Sequence, residues 1–416
     1  MTRRRVWIAL ALVCALASPV AQAPADGVTP KEILVGMSAA FTGASRSLGL
    51  ELYRGSMAYL TEVNRTGGVH GRQIALRAYD DGYQPDVAVK NTLKLMREDN
   101  VFLLFNYVGT PTVTRVLPLL KKYQQQHFLL FFPFTGAQPQ REPPYDSLAV
   151  NLRASYRQET EGLVENFLAV GRSRIAVFYQ ADAYGRSGWV GVREALAKRQ
   201  QKIVGEATYT RGTKFTESLD RQVAILQETN PDAIVSIGAY EACAAFIRDA
   251  RKAGVTVPIA NVSFVGSESM LELLTMAGTA DGRDYTRDLV NSQVVPSYED
   301  ADVPAVREYR ALMDKHNPAA PPGMTTDGYK PLARSFVSLE GFVNAKLLVE
   351  LLRRLGPQPA RAQIGAALAG IKDFELGIGS TVTFAGQRNQ GSDAVFYTTV
   401  RDGRFVPIED WKGWRK

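Results

Sequence analysis

Val101-Phe-Leu-Leu-Phe-Asn-Tyr-Val-Gly-Thr-Pro-Thr112 joins an apolar run to a helix start with almost nothing between them. Val101–Phe105 has no polar alternation, so it reads as a strand buried on both faces, the kind found inside parallel sheets. Thr110 suits a helix N-cap and Pro111 a first helical residue. A buried strand that feeds a helix through a glycine-containing turn is half of a βαβ unit.

The same alternation extends on both sides. Upstream, Ile33–Met37 is a short apolar run, and Leu50–Val63 is a helical stretch stopped by Gly67-Gly68. Gln73–Tyr79 alternates as a strand, and Asp86 opens a helix whose Val89, Leu93 and Met96 recur at helical spacing. Downstream, Phe128–Phe132 is another continuous apolar strand. The pattern then repeats in a different sequence. Strands are expected at Arg174–Phe178, Ile203–Tyr209, Ala233–Ile237, Ile259–Val265 and Val290–Val295. Helices are expected at Gly188–Lys198, Ser218–Glu228 and Glu241–Lys252. Two such blocks, meeting near residue 152, make an α/β chain of two doubly wound parallel-sheet domains.

The C-terminal third does not form a third block. It offers long helices over Pro304–Lys315 and Ala333–Arg353, then strand candidates Thr381–Phe384 and Val395–Val400, with Asp402-Gly403 as a turn. It is therefore expected to be shared between the two domains. Pro296, Pro318 and Pro321-Pro322-Gly323 mark connections.

At the N-terminus, Met1-Thr-Arg-Arg-Arg5 precedes an apolar run over Val6–Ala17 and small residues with A-x-A sites at residues 21–23 and 23–25. This is the pattern of a cleaved secretory signal, with residues 1–25 removed. The apolar run is too short to span a bilayer, and no later stretch is long enough. Losing Arg3, Arg4 and Arg5 lowers the formal charge from +7 to +4. The remaining charges of both signs are interspersed, which argues against a nucleic-acid surface. Cys14 leaves with the signal, so Cys243 has no partner for a disulfide; among Ala242, Ala244 and Phe246 it reads as buried and structural.

No enzyme chemistry assembles. His70, His127 and His316 lack metal-ligand spacing, and there is no G-x-S-x-G elbow, phosphate loop or dinucleotide fingerprint. Asp80-Asp81 lies in a loop, as turn and capping groups do. Neither a metal nor a cofactor is expected. The chemistry that remains is at the carboxyl ends of the strands, where open parallel sheets bind ligands. Gly109, Thr110 and Thr112 offer hydroxyls and free N–H groups at a helix start, which suit a carboxylate; Thr110 would equally cap its own helix. Thr135, Gly136 and Ala137 follow the next strand and permit close backbone approach, or form an ordinary turn. Tyr184, behind Asp182, and Tyr240-Glu241 stand at the corresponding mouths of the second block.

Taken in order, these residues resemble the type I periplasmic solute-binding proteins of ABC transporters, the leucine/isoleucine/valine-binding-protein family. The stretch Glu62-Val-Asn-Arg-Thr-Gly-Gly-Val-His-Gly71 carries most of the resemblance, with Tyr79-Asp80-Asp81, Pro85, Gly109–Thr112, Tyr184-Gly185 and Tyr240. It implies two lobes joined by a three-crossover hinge: residues 26–152 with 297–376, and 153–296 with 377–416. It also implies a periplasmic protein that binds a small organic ligand, a branched-chain amino acid or a related carboxylate or amide, and delivers it to an inner-membrane ABC permease. The expected partners are that solute and that permease, with no nucleic acid and no second copy of the chain. A sensing domain that signals to a separate membrane partner is the alternative. The ligand carboxylate is expected at Thr110, Thr112 and residues 135–137, with Tyr184 and Tyr240 facing it. One departure bears on the ligand. Where amino-acid binders hold the α-ammonium with an acid, this chain has Val262-Ser-Phe-Val-Gly266, with Phe264 at the centre and no acid before Glu268. Either Glu241 or Glu268 substitutes, or the ligand lacks a cationic amine.

Overall fold

A computed structural model describes residues 25–324, 328–386 and 388–414; the expected signal segment lies outside the described residues apart from Ala25. The first block runs β1 (Glu32–Ala39), α1 (Arg46–Arg65), β2 (Gln73–Asp80), α2 (Pro85–Arg97), β3 (Leu103–Phe105), α3 (Thr110–Lys122), β4 (Leu130–Phe131) and β5 (Ala149–Val150). The second runs α4 (Tyr156–Ala169), β6 (Ile175–Gln180), α5 (Ala183–Ala197), β7 (Gly205–Tyr209), α6 (Asp220–Glu228), β8 (Ala233–Ile237), α7 (Tyr240–Lys252), β9 (Ile259–Asn261), α8 (Ser267–Asp281) and β10 (Leu289–Gln293). The remainder holds α9 (Pro304–His316), α10 (Phe336–Leu355), α11 (Ile364–Ala369), β11 (Phe374–Glu375), β12 (Thr381–Val382), β13 (Phe396–Arg401) and β14 (Arg404–Pro407).

These strands build two doubly wound lobes. The first sheet has the order β2-β1-β3-β4-β5 and is parallel throughout. The parallel part of the second, β7-β6-β8-β9-β10, repeats that order. There β13 and β14 add an antiparallel edge, joined by the Asp402-Gly403 turn with both residues at positive φ. The C-terminal third is shared: α9 and α10 pack on α1, beside the first sheet, while β13 pairs with β10 of the second. The chain thus crosses between lobes after β5, after β10 and before β13.

Some expected boundaries shift. The strand expected over Ile259–Val265 stops at Asn261, and Ser263–Val265 form a single 3-10 turn that carries Phe264. Phe128–Phe132 contributes a ladder at only Leu130 and Phe131, because Phe132 turns to φ +50. Gly109, and not Thr110, is the N-cap of α3; its φ of +99 is the left-handed region that only glycine enters freely, so Thr110 becomes the first helical residue. Three helices carry no expectation above, α4, α8 and α11. The first opens with a capping box in which Ser155 accepts from the Gln158 N–H while the Gln158 side chain receives the Ser155 N–H.

Candidate functional site

In doubly wound sheets the cleft lies where strand order reverses. Those points are between β1 and β3 in the first lobe and between β6 and β8 in the second. The loops that leave these strands therefore decide what meets between the lobes.

In the first lobe the loop after β1 is tied to the loop after β2. Asp80 accepts from the Phe41 N–H (2.8 Å), the Thr42 N–H and the Thr42 hydroxyl, while Asp81 accepts from Ser38 Oγ (2.7 Å) and the Tyr83 N–H (2.8 Å). The carboxylate pair is a loop clamp, as its sequence context implies, and it aims Tyr83 at Gly109. A Cβ on Gly109 would stand 2.0 Å from Tyr83 Cε2, so the bare Cα face is the seat of that ring. Gly136 serves Tyr156 in the same way: a Cβ there would lie 2.6 Å from Tyr156 Cδ1. Thr110 Oγ1 and Thr135 Oγ1 share a 2.6 Å hydrogen bond, which brings the loops after β3 and β4 together. Thr112 is not part of that pair; its hydroxyl donates to the carbonyls of Val108 (2.5 Å) and Gly109 (2.8 Å). Ala137 is buried beside Thr135 and gives its carbonyl to Arg141 Nη1 (2.7 Å).

In the second lobe Asp182 caps α5 by accepting from the Tyr184 N–H at 2.9 Å, and the Tyr184 hydroxyl donates to the Gly238 carbonyl at 3.4 Å. The Tyr209 hydroxyl donates to Gln180 Oε1 and accepts from the Ala239 N–H. Tyr240 is buried apart from this group, opposite the start of α1, where Leu48 also approaches Gly266. Glu241 points away, its carboxylate accepting from the Phe215 N–H at 3.0 Å.

At Phe264 the cleft loops of the two lobes touch. Its ring centroid lies 5.2 Å from Phe134 and 6.0 Å from Tyr83, both on first-lobe loops, and 4.6 Å from Tyr184 of the second lobe. Tyr184 in turn packs on Tyr156 at 5.3 Å. Burial pushes the phenols of Tyr83, Tyr156, Tyr184 and Tyr209 above the usual tyrosine range, so all four stay protonated donors at any working pH.

Beneath this aromatic box lies a charge cluster that spans the crossovers. Arg153 is 3.4 Å from Glu159 on α4 and 3.4 Å from Glu340 on α10, and it also bonds Ser263 Oγ. Glu159 further accepts from the Ser263 N–H (2.8 Å), Ser263 Oγ (3.0 Å) and Ser292 Oγ (2.6 Å). The guanidinium lies 4.8 Å from the Phe134 centroid and 5.8 Å from that of Tyr156. Arg153, Tyr156, Glu159 and Tyr83 are absent from the residues the sequence singles out. The capping box at Ser155 and a lone arginine inside the apolar run 148–154 were the available signals; neither reports which side of the fold it faces. The expected structural role of Cys243 fits its surroundings: it is buried, accepts from Ser236 Oγ at 3.2 Å, and burial pushes its thiol up to about 12. Among the described residues no cluster of His, Cys, Asp and Glu could hold a metal, and no helix is long and apolar enough to cross a membrane.

Known proteins share this fold. A sequence profile of the family described as periplasmic binding protein matches residues 32–404. An amino acid binding protein of Pseudomonas aeruginosa is 24% identical over 259 residues, 62% of this chain and 65% of its own length, just under two thirds of that relative. A leucine-specific-binding protein of Salmonella typhimurium is 22% identical over 67% of this chain and 75% of its own. A solved structure from Rhodopirellula baltica, described as a possible leucine/isoleucine/valine-binding protein, superposes with a TM-score of 0.80 at 30% identity, covering 94% of this chain and 98% of the other.

Proposed function

The chain belongs to the periplasmic binding protein family, whose members bind solutes and are not enzymes, and on that premise we propose that it captures a small organic solute between its lobes for an ABC permease. Export to the periplasm follows from the reading of residues 1–25 as a cleaved signal. The observation that carries the proposal is the meeting at Phe264 of loops from both sheets, each leaving its strand at the carboxyl edge. A solute bound to one lobe would draw the other over it by hinge rotation at the crossovers, and the closed form is the state a permease would recognise. The protein acts as a monomer in this scheme.

The lobes are residues 26–152 with 297–376, and 153–296 with 377–416. Hydrogen bonds from Asn151 to Asn389 and from Gly391 to Asn151 favour moving the last change of lobe toward residue 392. The solute contacts are drawn from Gly109, Thr110, Thr112, Thr135, Gly136, Ala137, Tyr184, Tyr240, Glu241 and Phe264. Geometry favours Thr110, Thr135, Tyr184 and Phe264 within that set, since Thr112 and Glu241 spend their polar atoms elsewhere. The relatives' names support an amino acid such as leucine, while the lack of an acid between Val262 and Gly266 favours a related carboxylate or amide.

Native mass spectrometry of the purified protein, with chemical identification of any retained solute, tests the capture itself. A retained small molecule whose re-addition raises the melting temperature is expected. Thr110→Val should weaken a carboxylate solute by about 1–3 kcal/mol, because it removes one hydroxyl and leaves the Thr135 hydroxyl held only by the Ala137 N–H. Unchanged affinity would remove Thr110 from the site.

A further inference from the structure

Tyr83, Tyr156 and Arg153 carry buried polar atoms that close no hydrogen bond among the described residues. The two phenol hydroxyls and the Nε and Nη1 of Arg153 have no hydrogen-bond partner. Yet Tyr156 is 0% exposed, Tyr83 2% and Arg153 3%. The Tyr156 hydroxyl faces Thr135 and that of Tyr83 faces Gln180 without closing a bond, and Arg153 Nη1 meets Glu340 only as a 3.4 Å ion pair. Buried polar atoms are almost always paired, so a group of exceptions in one place needs a reason. These groups surround one aromatic box. Arg153 underlies Phe134 and Tyr156, while Phe134 and Tyr83 both pack on Phe264.

Glu268, the one acid with both oxygens unpartnered among the described residues, packs toward Tyr298 and Phe336 and not onto the box, whose own acids are already committed. Glu159 is held by two serines and Arg153, Asp182 by the Tyr184 N–H, Gln180 and Arg211, and Glu241 by the Phe215 N–H. The orphaned acceptors beside the Thr135 loop are the amide oxygens of Gln138 and Gln140, which are neutral and cannot offset a full positive charge. Arg141, bonded to the Arg153 carbonyl, adds a second guanidinium to the cluster. Burial raises the carboxyl of Glu340 to about 7, so near neutrality the cluster carries a positive excess. A buried ammonium here would stand unpaired, whereas a carboxylate would meet donors already desolvated and waiting.

We propose that the cleft takes an anionic carboxylate with an aromatic or bulky apolar body and no α-ammonium, received by Arg153, Tyr156 and the Thr110–Thr135 pair. The body lies against Phe264, Phe134 and Tyr83 once the lobes part to admit it. This inference rests on the solute-capture reading and names the solute class. Arg153 is then a ligand-binding residue, and its pairing with Glu159 on α4 and Glu340 on α10 links the bound anion to elements on both sides of the hinge.

Titration calorimetry with probes that differ by one group decides the matter. The purified protein is titrated with 3-phenylpropanoate, L-phenylalanine and 3-phenylpropanamide, and with 4-methylpentanoate and L-leucine as the aliphatic pair. At least one carboxylate is expected to bind ten times more tightly than both the amino acid and the amide of its own skeleton. An amino acid or amide that equals or exceeds its carboxylate overturns the inference, as does failure of every carboxylate to bind. Tyr156→Phe, which removes only a hydroxyl, should weaken the carboxylate at least fivefold with the melting temperature of the free protein held; an unchanged affinity removes Tyr156. A retained solute that bears an amine or no charge defeats this inference and leaves capture standing. No retained solute, and no melting shift across a panel that spans sugars, amines, amides and acids, defeats capture itself.

Discussion

Residue 109 has no Cβ, and that absence decides where Tyr83 lies. A methyl group there would collide with the ring at 2.0 Å, and a φ of +99 strains any L side chain. Gly109→Ala is therefore expected to push Tyr83 off Phe264. Stability should fall by about 1–3 kcal/mol, and solute affinity with it. Matched thermal melts and titrations check this, and an alanine variant as stable and as tight as the parent would mean the ring has room to move. The sequence placed a glycine at this mouth but counted it among the ligand contacts of the helix start, because a turn glycine looks the same whatever packs on it. Thr112 and Glu241 show the converse. Their residue types suit a solute, and only their hydrogen bonds to Val108, Gly109 and Phe215 reveal that they are in use.

Helices α1 and α10 cross backbone against backbone. A Cβ on Gly55 would lie 1.7 Å from the Ser338 carbonyl oxygen, and one on Gly341 would lie 2.1 Å from that of Leu52. Ser56 Oγ reinforces the crossing by donating to the Gly341 carbonyl at 3.0 Å. Gly55→Ala should therefore part the helices and cost about 1–3 kcal/mol, although alanine is the better helix former by roughly 1 kcal/mol. Chemical denaturation measures the sign; a stabilised Gly55→Ala would refute the close crossing. Elements that repeat a plain period were legible in the sequence: buried strands such as β8 and amphipathic helices such as α7. The strand end at Asn261 was not, since Val262, Phe264 and Val265 stay apolar and buried through the turn, where Phe264 meets the other lobe.

Across the whole molecule, folding buries carboxyl groups. Glu268 at the start of α8 packs toward Tyr298 and Phe336, and burial raises its carboxyl to about 8, outweighing its polar neighbours. Among the described residues, both of its oxygens lack a hydrogen-bond partner. Burial also raises Asp81 and Glu340 to about 7. A carboxyl whose folded value lies above its unfolded one stabilises fully below the unfolded value and loses that contribution as pH rises through the folded one. Stability should therefore fall from about pH 4.5 toward pH 8. Glu268→Gln, which keeps the shape and removes the titration, should flatten the upper part of that slope. A melting temperature equally steep from pH 6 to 8 in the variant would show that Glu268 does not titrate there.

The sequence by itself determined the two doubly wound blocks, the shared C-terminal third and the loops that could face a cleft. Those follow from local period, helix caps and turn glycines, which act over a few residues and are written in order along the chain. Only the tertiary structure decided which of those loops meet, and that Arg153, Tyr156 and Tyr83 stand among them. Residue 153 reaches Ser263 and Glu340 only after two sheets have formed and the chain has crossed between them. A side chain left without a hydrogen-bond partner is a property of that packing, with no counterpart in the order of residues.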